Sequence, residues 1–232
     1  MRWSNGSRRQ CDLDFDVTPL TCGVVNEDTQ RIDSVVFDVG GVLLDWDPEY
    51  LYRQLISDEE ERHWFLTEVC SPEWNAAQDA GRTWADATSE LSARFPEHSA
   101  LIDAYAERWE EMIAGPIDDS VAVLEELRGG GVPTYALTNF SAEKWDVAKD
   151  RWSFLDGFDG KVVSGVVGVT KPDPEIYRIL LDQYRLEPAR TFYTDDVASN
   201  VEAARQLGVA AELFVDASTL RRQLIDRGVL AL

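Results

Sequence analysis

Ser34-Val35-Val36-Phe37-Asp38-Val39-Gly40-Gly41-Val42 is the stretch on which the reading of this chain turns. Apolar side chains at successive positions mean a strand that buries both faces, as strands of a parallel sheet covered on both sides do. Asp38 stands at the carboxyl end of that strand, and Gly40-Gly41 then break it with a tight turn. The same form returns down the chain. Pro133-Thr134-Tyr135-Ala136-Leu137 ends at Thr138-Asn139, and Lys161-Val162-Val163-Ser164 follows. Thr191-Phe192-Tyr193-Thr194 ends at Asp195-Asp196, and Glu212-Leu213-Phe214-Val215 ends at Asp216.

Helical spacing fills the gaps. Residues 118–128 carry Val121, Leu124 and Leu127 on one face before Gly129-Gly130-Gly131, residues 174–184 carry Ile176, Ile179 and Leu180, and residues 197–207 carry Val201, Ala204 and Leu207. Strand alternating with helix predicts a doubly wound, Rossmann-like α/β fold. Residues 46–115 differ: they hold no convincing strand, and their Trp, Leu and Ala recur at helical intervals. The expected organisation is an N-terminal extension over 1–32, an α/β core over 33–45 and 116–232, and a small helical cap over 46–115.

Composition narrows the function. The 232 residues include 22 Lys+Arg and 43 Asp+Glu, a formal charge of −21. Such a surface repels phosphate backbones and anionic lipid heads, so neither nucleic acid nor membrane is an expected partner. Residues 45–117 alone hold 5 basic and 17 acidic residues, so an anionic substrate has to be received by cations gathered elsewhere. Two histidines and three cysteines, Cys11, Cys22 and Cys70, give no zinc-ligand spacing; Cys11 and Cys22 could pair, although free thiols suit a reducing cytosol better. The N-terminus lacks an apolar signal-peptide run and no stretch approaches a membrane span, which makes a cytoplasmic protein, monomer or homodimer, the expectation.

Ligands of open parallel sheets bind beyond the carboxyl ends of the strands. The polar residues expected there are Asp38, Thr138, Asn139, Asp195 and Asp196, joined by Lys171 in the segment Lys171-Pro172-Asp173. A carboxylate nucleophile, a hydroxyl and an ammonium for anionic oxygens, and further carboxylates for a divalent cation form one coherent set. In this order the four segments resemble those of the haloacid dehalogenase-like hydrolases, from about Val35 to the C-terminus, and an insert after the first segment resembles the subfamily with a helical cap there. The resemblance implies a magnesium-dependent phosphatase acting through an aspartyl-phosphate. Asp38 would be the nucleophile. Mg²⁺ would be held by Asp38, the carbonyl of Gly40, and Asp196 with or without Asp195. Thr138 and the amide of Asn139 would hold the phosphoryl oxygens, and Lys171 would neutralise charge on both the nucleophile and the phosphoryl group.

One position departs from that pattern. Most phosphatases of the family carry an acidic proton donor two residues after the nucleophile, and here that residue is Gly40. A positioned acid contributes about 10²–10⁴-fold, so its loss implies a slow enzyme, a good leaving group such as a sugar 1-phosphate, or a substitute acid, for which Asp45 and Asp47 are the nearest candidates. The alternatives are 2-haloacid dehalogenation, disfavoured by Gly40 where that branch places an aromatic residue and by the Asp195-Asp196 pair, and a phosphate-ester binding or regulatory protein without turnover. Within the cap, residues 74–82 are expected to face the site, with Arg82 and Asn75 as polar groups toward the substrate; the competing expectation is Trp74 and Trp84 in the cap core and Arg82 in a surface ion pair.

Overall fold

The computed structural model describes residues 31–231; the extension predicted for 1–32 lies almost wholly outside them, as do Cys11 and Cys22. In chain order the core opens with β1 (Ser34–Phe37), and a short β2 (Leu44–Trp46) leads into the insert. There follow α1 (Glu49–Leu55), α2 (Glu59–Trp64) with a π-turn over Phe65–Val69, α3 (Pro72–Asp79), α4 (Trp84–Arg94) and α5 (Ser99–Glu107). The chain returns through β3 (Ile113–Pro116) and completes the core with α6 (Asp118–Gly129), β4 (Thr134–Thr138), α7 (Ala142–Arg151), β5 (Gly160–Val163), α8 (Ser164–Val167), α9 (Pro174–Tyr184), β6 (Thr191–Asp195), α10 (Ala198–Gln206), β7 (Ala210–Leu213) and α11 (Ala217–Asp226).

The five core strands pair in parallel in the order β5-β4-β1-β6-β7. Alternate side chains of the central strand feed two separate cores. Val35 and Phe37 pack with Leu124, Leu127, Leu220 and Leu224 from α6 and α11, while Val36 packs with Ile176, Tyr177 and Leu180 of α9 and Val201 of α10. Because the chain runs outward from β1 to β4 and β5, then returns to β6 on the other side, the crevice of the fold lies at the carboxyl ends of β1, β4 and β6. Asp38, Thr138 and Asp195 stand at those three ends.

Five elements differ from the sequence reading. β2 and β3 form an antiparallel pair at the root of the insert, too short to register as strands against their helical surroundings. β7 (Ala210–Leu213) starts and ends two residues earlier than the predicted run 212–215, since Leu213 is already exposed and Val215 stands in solvent. α7 and α11 have no counterpart in the sequence reading; α7 carries few apolar residues and is fixed by burial of Trp145 and Ala148, while α11 buries Leu220 and Leu224 one turn apart on one face. Inside the insert, Ser71 and Thr83 cap α3 and α4, each accepting a hydrogen bond from a first-turn amide, and Asp58 does the same for the acidic start of α2. Trp74, Trp84 and Tyr105 meet as a cluster of rings with centroids 5.2–5.8 Å apart.

Candidate active site

Strand β1 delivers Asp38 to a site that is nearly closed to water. Its backbone amide donates to the carbonyl of Thr194 on β6 (3.0 Å), and the residue is 7% exposed. Asp38 Oδ1 accepts from the amide of Val39 (2.7 Å) and lies 2.8 Å from Lys171 Nζ; Oδ2 has neither bond. Burial pushes the Asp38 carboxyl up to about 7 against the pull of Lys171, and the neighbouring Asp195 and Asp196 act in the same direction as burial.

Lys171 Nζ bridges Asp38 Oδ1 and Asp195 Oδ2, the latter at 2.7 Å. Burial opposes its charge, but attraction to the two carboxylates outweighs that and holds the ammonium above its ordinary range. Asn139 locks the loop that presents it: its side-chain amide donates to the Lys171 carbonyl (3.0 Å) and its side-chain carbonyl accepts from the Lys171 amide (2.7 Å). With that side chain committed, the backbone is what Asn139 has left for an anion. Thr138, 1% exposed, ends β4 with a buried hydroxyl that has no hydrogen-bond partner among the described residues. A buried hydroxyl without a partner costs about 1–3 kcal/mol, a cost that an anionic ligand oxygen removes.

The two neighbouring acids at the end of β6 are not equivalent. Asp195 is fully buried, and its oxygens accept from Lys171, Tyr193 Oη, the amide of Val197 (2.8 Å) and Asn200 Nδ2 (3.0 Å). Burial would raise it, yet these partners hold it below the usual carboxylate range. Asp196 is exposed, and burial of part of its surroundings together with the charge of Asp195 raises it. A Cβ on Gly41, whose φ is +71°, would stand 2.3 Å from Asp196 Oδ2, so the glycine is what allows this carboxylate to lie against the β1 loop.

Oxygens of Asp38, Asp195 and Asp196 lie within 4.8 Å of one another. Three carboxylates against one ammonium leave two negative charges uncompensated, in an all-oxygen donor set that suits a hard divalent cation. The glycine cradle that brings Asp196 to the loop fits the same ion. Asp195, whose oxygens are taken, is placed to orient Lys171 rather than to ligate.

A cavity of about 90 Å³ borders this cluster, with Gly40 and Asn139 on the core side and Asn75, Asp79 and Trp84 on the insert side. Trp46, Trp109, Ile113 and Phe140 make its other walls largely apolar. Arg82 does not line it. Its guanidinium pairs with Glu90 (2.6 Å) and reaches the Asp86 carbonyl (3.4 Å), as the surface-pair expectation had it. Asp45 accepts from Tyr50 Oη (3.0 Å) and Asp47 accepts from the amide of Glu49 (2.8 Å), and neither lines this cavity. Asp79, part of the segment expected to face the site, was not singled out in the sequence; its signal was a carboxylate one helical turn from Asn75 on a helix flanked by tryptophans.

Residues 32–208 match the haloacid dehalogenase-like hydrolase family. The chain belongs to that family. Among curated relatives, the sesquiterpene phosphatase of Aspergillus oryzae is 27% identical over 183 residues, covering 79% of this chain and 90% of the relative. The bifunctional epoxide hydrolase 2 of Sus scrofa is 35% identical over 102 residues, which are 42% of this chain and only 18% of that protein. Among solved structures, a magnesium complex of a family enzyme from Bacteroides thetaiotaomicron superposes with a TM-score of 0.65 at 21% identity, covering 83% of this chain and all of the other, a likeness of fold. The four segments quoted from the sequence lie at the carboxyl ends of β1, β4 and β6 and in the loop that carries Lys171.

Proposed function

We propose that this hydrolase is a magnesium-dependent phosphatase of a small phosphorylated metabolite, with the 46–115 insert as a helical cap of the subfamily it resembles. The observation that carries the reading is the bridge of Lys171 between Asp38 and Asp195, beside the open carboxylate of Asp196. Asp38, the Gly40 carbonyl and Asp196 would hold Mg²⁺, which when bound offsets the carboxylate charge and polarises the phosphoryl oxygens. Asp38 Oδ2 attacks phosphorus, the P–O bond to the alcohol breaks, and an aspartyl-phosphate forms on Asp38. The Thr138 hydroxyl and the Asn139 amide hold phosphoryl oxygens, and Lys171 stays paired with the nucleophile. Water then attacks phosphorus and frees the Asp38 carboxylate.

The cavity walls argue about the alcohol. Tryptophans 46, 84 and 109 with Leu44, Ile113 and Phe140 offer little to hydroxyl groups, and Lys144, a cation of the wall, already donates to the Ala106 carbonyl (2.7 Å). An apolar or aromatic alcohol fits this lining better than a hexose, which shifts the substrate class away from the sugar phosphates suggested by the motif. Phosphate release with Mg²⁺ from p-nitrophenyl phosphate, lost in EDTA, is the expected result. Halide release from 2-chloropropionate in EDTA, with no phosphate release, would overturn it in favour of dehalogenation.

A further inference from the structure

Gly40 leaves a hole as well as a missing acid. A Cβ built on it would meet nothing within 4 Å, so the space an acidic side chain would occupy at that position is empty and opens into the cavity. Asp79, at the last position of α3, lines the same cavity from the insert. The residue is half-buried, bordering a second opening beside Asp47 and Glu49 as well as this cavity, and its carboxyl group faces the amide of Ser141 and lies 3.3 Å from Asn75 Nδ2. The turn that follows α3 and the start of α4 are pinned to the core. Trp84 Nε1 donates to Ser141 Oγ (2.8 Å), the Trp84 amide donates to Glu143 (3.1 Å), and Gly81, at φ +102°, lies against the Gly165 carbonyl, where a Cβ would come within 3.2 Å.

We propose, resting on the phosphatase reading, that Asp79 is the acid that replaces the one absent at Gly40: it gives its proton to the leaving alcohol. As Asp38 Oδ2 bonds to phosphorus and the ester P–O bond breaks, the electron pair goes to the leaving oxygen, which takes the proton of Asp79 and departs as the neutral alcohol. The Asp79 carboxylate then accepts a proton from the water that attacks the aspartyl-phosphate, the P–O bond to Asp38 breaks, and inorganic phosphate leaves with Asp79 protonated again. A group that must hold a proton at neutral pH needs an environment hostile to its charge. Burial supplies it, pushing Asp79 up to about 7, against the Ser141 amide and Lys171, which pull the other way. The other titratable groups around it are Tyr105 on α5, raised by burial first with Cys70, Asp79 and Asp47 adding, Lys144 across the cavity, lowered by burial, and Asp47, Glu49 and Cys70, which share a second cavity with Asp79 on the other side.

The test compares two esters on the magnesium-loaded enzyme. 2-Phenylethyl phosphate has a leaving alcohol that needs a proton, and p-nitrophenyl phosphate releases an anion that does not. Asp79→Asn is expected to lower kcat/KM for the first by about 10²–10⁴-fold. For the second, kcat/KM reports only the steps through aspartyl-phosphate formation and should fall far less, while kcat falls on both esters wherever hydrolysis of the aspartyl-phosphate, in which Asp79 takes the proton of water, limits turnover. The alkaline limb of the pH profile of kcat/KM for the alkyl ester should vanish in the variant. Equal losses of kcat/KM on both esters, or no loss on the alkyl ester, would overturn the assignment. Absence of phosphate release from either ester by the wild-type enzyme would remove the phosphatase reading and this proposal together. Asp79→Ser gives the same comparison should the Asn variant not fold.

Discussion

The core end of the site and the face of the insert above it are built on opposite electrostatic terms. At the carboxyl ends of β1 and β6 the charges are many and tied together: Lys171 contacts two carboxylates at 2.7–2.8 Å and a third stands beside them. On the insert face a single carboxylate, Asp79, sits among indole rings and aliphatic side chains, without an ion pair. In the first region partners outweigh burial for Lys171 and Asp195, while in the second burial outweighs everything. The core end therefore keeps Lys171 and Asp195 charged while burial raises Asp38 to about 7, and on the insert face burial raises Asp79 to the same range with no ammonium bonded to it.

The largest effect that would break this contrast is loss of the proposed nucleophile. On the phosphatase reading Asp38→Asn removes the group that bonds to phosphorus, and phosphate release from p-nitrophenyl phosphate should fall by at least about 10⁴-fold. Retention of turnover near the wild-type level would mean that the core end does not carry the chemistry. Lys171→Met comes next and acts on stability as well. It leaves Asp38 and Asp195 buried with no cation, which costs about 3–5 kcal/mol when one partner of a buried pair is removed. Denaturant melts should show that loss at pH 8 and a smaller one at pH 5, where protonation of the raised Asp38 relieves the repulsion. Added Mg²⁺ should recover part of it at pH 8.

What the sequence revealed follows the same division. The strand ends were legible because continuous apolar runs stopped by Asp, Thr or Gly leave little freedom: Asp38, Thr138, Lys171 and Asp195 stand together where the alternation of strand and helix put them. The unequal roles of Asp195 and Asp196 were not legible, since they depend on Tyr193 and Asn200 taking up the oxygens of only one of them. The insert yielded its helical character, and Asn75 of the segment quoted from it does line the cavity, but Asp79 beside it was not singled out and Arg82 does not reach the cavity. Which side chains of α3 line the cavity depends on its register against the Asn139–Ser141 loop, and eight residues with one Trp and two adjacent Ala give no period to read.

The insert face makes a subtler prediction than the core. The folded protein holds Asp79 at about 7, above its ordinary 3.8, so folding favours its protonated form. This contribution is complete below about pH 4, declines as the pH rises and the unfolded chain loses the proton first, and levels off above 7. Asp79→Asn carries no such dependence. Relative to wild type the variant should gain stability between pH 4 and 7, by as much as about 4 kcal/mol at pH 8, read from denaturant midpoints at both ends. A destabilised variant at pH 8 would mean that the carboxylate is held by partners, as in the core, and the contrast would dissolve. Gly40→Asp sharpens the same point: the open space beside Gly40 accepts the side chain, so in the Asp79→Asn background it should restore part of the lost activity on an alkyl phosphate, measured as kcat/KM.

The smallest effect belongs to Arg82, which the sequence alone made the cationic group most worth testing on the insert. Its partner is Glu90, whose side chain is 69% exposed, and exposed pairs of this kind contribute about 0–1 kcal/mol. Arg82→Ala should therefore change kcat/KM less than about threefold and stability by less than about 1 kcal/mol. A loss of ten-fold or more in kcat/KM, with KM carrying it, would mean that Arg82 leaves Glu90 and turns to the substrate when the ester binds. In that event the insert face would supply a charge to the anion and not only a proton to the alcohol, and the electrostatic division between the two regions would hold only for the empty site.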